Sequence, residues 1–375
     1  MMKLPAVILT LIVACLCFGC RSGEHASAGE QEAGSGAKYL TVTPDSAYTL
    51  VRIVNPQDTS RLLGKYIFMA DDSVAPPSDH DGAVLLRPRD LNNLMVYSSV
   101  HASALKELGA MEAIKTVGDA SYFTIPEIKQ GLAEGRIADG GTQQEPVKER
   151  ILKARPGLIL VSYYNGMDLS ALQRLGIPVI PLAESCEASP LGRAEWIKLL
   201  GLIAGNSAGA DSIYNSVSAE YNELKKLASG ADKRPRVLTE TMYQGVWALP
   251  GGRSYAARMI ADAGGDYLWA DDAREGSIEL PFESVLARGK DADVWLIRSY
   301  GLQHTTNWLK GLDERYMLFA PARNCKGLWG ADTSVPGFYE ETPFHPDRLL
   351  KDYIRILHPS LLPDYTPRYF RPIEK

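Results

Sequence analysis

Only five of the 375 residues are cysteine, and Cys15, Cys17 and Cys20 fall in the first twenty. That leaves Cys186 and Cys325 for the folded part, too few for a disulfide scaffold. In an oxidising compartment this pair could bridge, or it could remain as two separate thiols; the spacing leaves both open. His25, His80, His101, His304, His345 and His358 are scattered, and no paired His or Cys motif gathers ligands for a bare transition metal. The net charge is −5 with no basic block, so nucleic-acid binding has no electrostatic footprint. A Walker lysine motif is missing, and Gly251-Gly252 lacks the third glycine of a dinucleotide loop.

What is present begins at the amino terminus. Met1-Met2-Lys3 is a short positive region, residues 4–18 are apolar, and Gly19-Cys20 precedes the polar run Arg21-Ser22-Gly23-Glu24. The pattern is a secretory signal, shorter than the ~20 apolar residues of a comfortable span. Gly19-Cys20 resembles a lipobox, so Cys20 is the expected lipidation site; Cys15, after Ile12-Val13-Ala14, is the alternative. A plain cleaved signal is a third reading. Residues 21–38 are rich in Gly, Ala, Ser and Glu and read as a flexible tether. The remaining chain exceeds one hydrophobic core and suits two domains.

Two distant stretches share one phrase. Glu149-Arg150-Ile151-Leu152 leads through Pro156 to Leu158-Ile159-Leu160-Val161, and Glu283-Ser284-Val285-Leu286 leads to Val294-Trp295-Leu296-Ile297. Each is a glutamate opening a short helix that feeds a strand buried on both faces. The repetition predicts two similar lobes, each presenting one carboxylate, and points to a binder docking on a symmetric partner.

The pass along the chain predicts a β-rich extension over 39–92, with runs at 48–54, 66–69 and 84–86. From 93 to 188 strands and helices alternate: a strand at 94–97, a helix carrying Leu105 and Leu108, a strand at 114–118, the Glu149 unit, a helix near 169–175 and a strand at 177–181. That order predicts a parallel sheet with helices on both faces. Between 189 and 230 the strands stop. Trp196, Leu199, Leu200 and Ile203 mark one helix, Gly205-Asn206 breaks it, and Ile213, Val217, Tyr221, Leu224 and Leu227 mark a second of about five turns. This long helix is expected to act as a rigid strut. From 231 to 375 the α/β pattern returns, with a strand at 236–240, a helix around Tyr255, Met259 and Ile260, the Glu283 unit and a tail helix near 348–357. The fold class is therefore α/β: two Rossmann-like lobes with parallel sheets, a joining helix and an amino-terminal β extension.

The order of these landmarks carries a family resemblance. Val96-Tyr97-Ser98-Ser99-Val100-His101-Ala102-Ser103-Ala104-Leu105, Val117-Gly118-Asp119, Gly140-Gly141, the Glu149–Val161 segment, Leu175-Gly176-Ile177-Pro178-Val179, Leu200-Gly201 with Ala204-Gly205, Gly251-Gly252, Ala263-Gly264-Gly265 and Glu283-Ser284-Val285-Leu286 follow one another. In this sequence the chain resembles the helical-backbone substrate-binding proteins of bacterial ABC importers for ferric siderophores, haem and cobalamin. The resemblance runs from about residue 93 to 297, while 39–92 and 300–329 have no counterpart. Gly157 stands where the family usually has an acidic residue.

The resemblance implies a periplasmic, lipid-anchored solute-binding protein that hands its cargo to an inner-membrane ABC permease dimer, with no catalytic residue, cofactor or resident metal. It makes Glu149 and Glu283 the residues that dock on permease arginines, a contact that fixes register and steers encounter. A helix-dipole preference for a carboxylate in the first turn is the competing explanation. Cargo is expected between the lobes, at the carboxyl ends of the strands. First-lobe candidates are Ser98, Ser99, His101, Ser121, Tyr122, Tyr163, Tyr164, Asn165, Glu184 and Ser185. Second-lobe candidates are Tyr243, Gln244, Trp247, Arg253, Arg298 and Tyr300, then Arg323 and Trp329. Arginines among aromatics suit a bulky anionic chelate, through charge-assisted hydrogen bonds and stacking. An iron-siderophore, cobalamin or haem would fit, haem taking His101, Tyr163, Tyr164 or Tyr243 as axial ligand. Two other classes compete. Gly205-Asn206-Ser207-Ala208-Gly209 satisfies the nucleophile-elbow pattern of a serine hydrolase, though a helix precedes it. A lipid-anchored surface scaffold would explain the lipid and tether but not the two lobes.

Overall fold

The computed structural model describes residues 36–78, 80–335 and 337–375. The expected signal, Cys20 and residues 21–35 lie outside the described residues.

The extension is a four-stranded sheet: β1 (Leu40–Pro44), β2 (Tyr48–Asn55), β3 (Asp58–Met69) and β4 (Val84–Leu86), in that order. Its strands do not stand apart. Val51, Ile53, Tyr66, Phe68 and Leu86 join one buried cluster with the first lobe's Leu94, Val96, Leu158 and Ile180. The Tyr66 hydroxyl donates to the Val179 carbonyl at 2.7 Å, tying the extension to the edge of the first lobe's sheet. Residues 36–38, read from sequence as the end of the tether, are also held. Ala37 N–H reaches Glu195 Oε2 at 2.8 Å, while Lys38 and Tyr39 N–H reach Glu187 at 3.0 and 2.9 Å. The buried Glu187 and half-buried Glu195 carboxylates meet the backbone there and override the flexible composition.

The first lobe contains β5 (Leu94–Val96), α1 (Ser99–Glu107), β6 (Ile114–Val117), α2 (Pro126–Ala133), β7 (Ala138–Asp139), α3 (Lys148–Ala154), β8 (Leu158–Ser162), α4 (Ser170–Gln173) and β9 (Val179–Leu182). Its sheet runs β7-β6-β5-β8-β9 and is parallel throughout. Leu158, Ile159, Leu160 and Val161 are fully buried, as expected of a strand covered on both faces. The linking helices follow: α5 (Pro190–Glu195), α6 (Ile197–Ile203) and the 23-residue α7 (Ser207–Ser229). Gly205 in left-handed backbone (φ +65°) ends α6, and the Asn206 side chain caps α7 by accepting from Gly209 N–H.

The second lobe comprises β10 (Arg236–Thr239), β11 (Met242–Tyr243), β12 (Val246–Pro250), α8 (Tyr255–Asp262), β13 (Asp266–Tyr267), β14 (Ser277–Leu280), α9 (Phe282–Gly289), β15 (Val294–Ser299), α10 (Thr306–Leu312), α11 (Ala320–Asn324), β16 (Leu328–Asp332), α12 (Phe338–Glu341), α13 (Pro346–Leu357) and β17 (Arg371–Pro372). Its main sheet runs β13-β10-β15-β16-β17, parallel except for β17. Setting β6-β5-β8-β9 beside β13-β10-β15-β16 shows the same strand plan twice. A small antiparallel sheet, β11-β12-β14, was absent from the sequence reading.

The lobes are joined by more than α7. Phe344, from the second half of the chain, is buried in the first lobe's cluster. His345 Nε2 lies 2.9 Å from Glu107 Oε2 at the end of α1, and Thr124 Oγ1 donates to Glu340 Oε1 at 2.7 Å. Arg193 of α5 stacks 3.9 Å from the Tyr255 ring of α8, and Lys38 Nζ pairs with Glu275 at 3.7 Å. Cys186 and Cys325 are separate free thiols.

Candidate functional site

Thr124 follows β6 and Glu340 follows β16, so their hydrogen bond brings the carboxyl ends of the two parallel sheets face to face. Such an edge is where loops converge and α/β proteins place ligands. On the second-lobe side it is hollow: a cavity of about 460 Å³ is lined by Glu240, Thr241, Tyr243, Ser277, Arg298 and Tyr300, among others.

Arg298 ends β15 beside Glu240, which follows β10, and its Nε donates to Glu240 Oε1 at 2.9 Å while Nη2 also reaches that oxygen. Burial works against the Arg298 charge, but Glu240 more than restores it, leaving the pKa raised. Glu240 takes left-handed backbone (φ +60°), an uncommon conformation for a side-chain-bearing residue. Tyr300, next to this pair, is 83% exposed, and Tyr243 is 76% exposed.

On the first-lobe side Ser98 caps α1 by accepting from Val100 N–H, and Ser98 and Ser99 are half-buried. Tyr122 is 76% exposed and Tyr164 is also exposed. Ser121 is exposed, as is Asn165, and Ser185 too. Tyr163 is buried at the end of β8 and donates to Asn55 Oδ1 at 3.2 Å, so the β2–β3 hairpin reaches this edge. Arg253 is exposed beside Gly252 and does not line the cavity. Gln244 is exposed at the β11–β12 turn, and Arg323 is exposed on α11, where it donates to Leu318 O at 3.3 Å; Trp329 is half-buried in β16.

Two expected contact residues are corrected by burial. His101 is fully buried, 3.1 Å from Glu184 Oε1, which is itself 4% exposed. The pair is enclosed inside the first lobe, with His101 Nδ1 and Glu184 Oε2 finding no further hydrogen-bond partner among the described residues. Trp247 is fully buried with its indole N–H on the Thr239 carbonyl at 3.1 Å. Neither side chain reaches the cleft surface, and His101 is thereby closed to axial ligation. The hydrolase pattern fails on geometry: Ser207 opens α7 directly after α6, with no strand to raise its hydroxyl at a sheet edge.

Glu149 and Glu283 occupy equivalent places, each the second residue of its helix, α3 or α9, and both are exposed. Glu283 lies 3.5 Å from Arg315, which covers Phe282 at 4.3 Å; Glu149 has no such partner among the described residues.

Of the exposed aromatics, the sequence pointed to Tyr122, Tyr164, Tyr243 and Tyr300 and missed Tyr339. Tyr122, Tyr164, Tyr243, Tyr300 and Tyr339 are the exposed aromatic residues among those described. They fall in segments that leave the carboxyl ends of β6, β8, β10, β15 and β16, and Tyr243 and Tyr300 line the cavity. The signal was available, since each lies within about ten residues of a readable strand end.

Two parallel-sheet lobes joined by a long helix, with a cavity at the carboxyl edge of the second, are the architecture of a two-lobed solute-binding protein. The periplasmic binding protein family model matches residues 96–311, and the chain belongs to that family. An uncharacterized lipoprotein of Methanocaldococcus jannaschii is 29% identical over 286 residues, covering 70% of this chain and 66% of that protein, just under two thirds of its length. Among solved structures, the periplasmic heme-binding protein RhuT from Roseiflexus sp. RS-1 superposes with a TM-score of 0.56 at 19% identity, covering 72% of this chain and 99% of that one. An ABC transporter substrate-binding protein from Listeria monocytogenes gives 0.55 at 16% identity, with coverages of 72% and 99%. These structures share the fold.

Proposed function

We propose that this protein captures a bulky metal chelate, an iron-siderophore or a related corrinoid or haem, between its lobes and delivers it to an ABC permease. The single observation that carries the reading is the set of five exposed tyrosines, all in segments that leave the carboxyl ends of the strands. Exposed tyrosine rings offer broad apolar faces and a hydroxyl at low entropic cost, which suits a large, partly aromatic cargo. The remaining contacts would come from Ser98, Ser99, Arg298 and the Tyr163 edge. Glu149 and Glu283, at matching helix starts, would dock the two permease subunits. The relative named as a lipoprotein supports anchoring through a lipidated Cys20, and the family supports a periplasmic site of action.

Visible absorption and mass spectrometry of the protein as purified, followed by a thermal-shift panel of chelates, test the reading. A ligand at a hundredfold excess over its Kd adds about 2.7 kcal/mol of apparent stability. A flat panel together with a colourless, ligand-free protein would contradict it. For docking, Glu149→Ala combined with Glu283→Ala is expected to spare cargo binding and abolish uptake; undiminished uptake in that double variant refutes the docking role.

A further inference from the structure

We infer that the cargo carries no net negative charge, which favours an uncharged chelate of the ferric trihydroxamate or corrinoid kind over haem or a ferric tris-catecholate. The inference rests on the proposed function and narrows it. Acidic residues stand at the carboxyl ends of several of the parallel strands: Asp119 follows β6, Asp139 ends β7, Glu240 follows β10 and Asp332 ends β16.

Of the basic groups near these edges, three are occupied. Arg298 holds Glu240 in the floor of the cavity. Arg150 lies 3.2 Å from Asp139. Arg193 donates to the Ser185 and Glu187 carbonyls at 2.8 and 3.1 Å and stacks on Tyr255. Burial works against the Asp332 charge, but hydrogen bonds from the Ser334 hydroxyl, Ser334 N–H and Gly301 N–H outweigh it and hold the carboxyl below the usual range. Burial pushes Asp119 up although it accepts from Gln143 N–H; neither has an ion-pair partner among the described residues. Arg253 is exposed on the turn before α8 and is not among the residues lining the cavity.

A polyanion entering the cavity would have to displace Glu240 from Arg298, the one cation among its described lining residues, and would still meet Asp119 and Asp332 at neighbouring strand ends, where like charges are costly. A neutral chelate meets no such barrier. The groups left for it are the exposed tyrosines and the Ser277 and Ser299 edge. Tyrosine faces and hydroxyls recognise amide-rich, uncharged ligands and are indifferent to salt, whereas arginine recognition of carboxylates is screened by it.

The test is a titration of the full chain at low and high salt with four probes: ferrichrome and cyanocobalamin, which carry no net charge, and hemin and ferric enterobactin, which are anionic. The expected result is binding of at least one uncharged probe, unaffected by salt, with hemin and ferric enterobactin at least tenfold weaker. Glu240→Gln, which frees Arg298, and separately Asp119→Asn should each improve hemin or ferric enterobactin affinity about tenfold relative to the uncharged probe. Two single variants in different lobes guard against one failing to fold. Tighter binding of hemin or ferric enterobactin than of either uncharged probe by the unaltered protein overturns this inference and leaves the proposed function standing. An unchanged preference in both variants also overturns it. Binding of none of the four overturns the proposed function, and this inference with it.

Discussion

The two lobes repeat one strand order but are stabilised by different means. The first is covered at its β9 edge by the extension, whose Tyr66 hydroxyl reaches Val179 O, and its core continues into that second sheet. The second closes its β16 edge with the short antiparallel β17 and fills its interior with aromatic rings. Trp247, Trp295, Tyr316 and Phe319 pack with centroids 5.0 to 5.7 Å apart. An edge strand left open would invite pairing with another chain, and each lobe has its own answer. The same plan can thus tolerate different bracing, provided the carboxyl edges stay aligned across the cleft.

That contrast can be broken from the second lobe first. Trp247→Ala removes the ring at the centre of the aromatic cluster and should cost about 3–5 kcal/mol. Denaturant unfolding would register it, and hydrogen exchange should show the loss concentrated in β10–β16. Equal loosening of the first lobe would mean the two cores are one. Next in size, Asp352→Ala strips a fully buried carboxylate that accepts from the Arg368, Tyr369 and Phe370 N–H groups and from the Tyr365 hydroxyl. Leaving those donors unsatisfied should cost roughly 2–3 kcal/mol and free the tail carrying β17. A thermal melt within a degree of the parent would contradict that role. In the first lobe, Tyr66→Phe should cost only about 1 kcal/mol, the net worth of one hydrogen bond. Rapid proteolysis of the extension in this variant would mean the hydroxyl does far more than that.

The smallest effect concerns the seam between lobes. Burial raises the Glu107 pKa, but the His345 hydrogen bond and charge, with Arg348 nearby, outweigh it and hold the carboxyl below its usual 4.5. A depressed folded pKa stabilises above the unfolded value, and that contribution is lost as pH falls from about 4.5 through the folded value. Acid should therefore loosen this seam, and Glu107→Gln should flatten the stability profile in that window. A profile unchanged by the substitution would remove the bridge from the account.

Much of the two-lobed plan was legible because each main strand is a short apolar run fed by a helix of clear period. The small sheet was not. Its hairpin turns on Gln244-Gly245, both with positive φ (49° and 83°), a weaker signal than Asn-Gly. Once that hairpin is seen, the two-residue alternation of Val246–Pro250 sends Trp247 and Leu249 inward, which explains why Trp247 is core and not contact. His101 was readable in hindsight: it precedes Leu105 by four residues and Leu108 by seven, on the helix face that turns inward. Contacts such as Phe344 in the first lobe join residues far apart in sequence, and no local pattern announces them. At the site, Arg298 and Tyr300 could be found from the strand before them. Glu240 could not be matched to Arg298, because their pairing depends on β10 and β15 lying side by side.

The central claim is that the tyrosines at the carboxyl ends of the strands hold the cargo. Intrinsic fluorescence titrated with whichever of ferrichrome and cyanocobalamin binds measures this directly, comparing the parent with a Tyr243→Ala, Tyr300→Ala double variant. The account predicts saturable quenching in the parent and about tenfold or more weaker binding in the variant, with its melting temperature preserved. Equal affinity in the two proteins would contradict it.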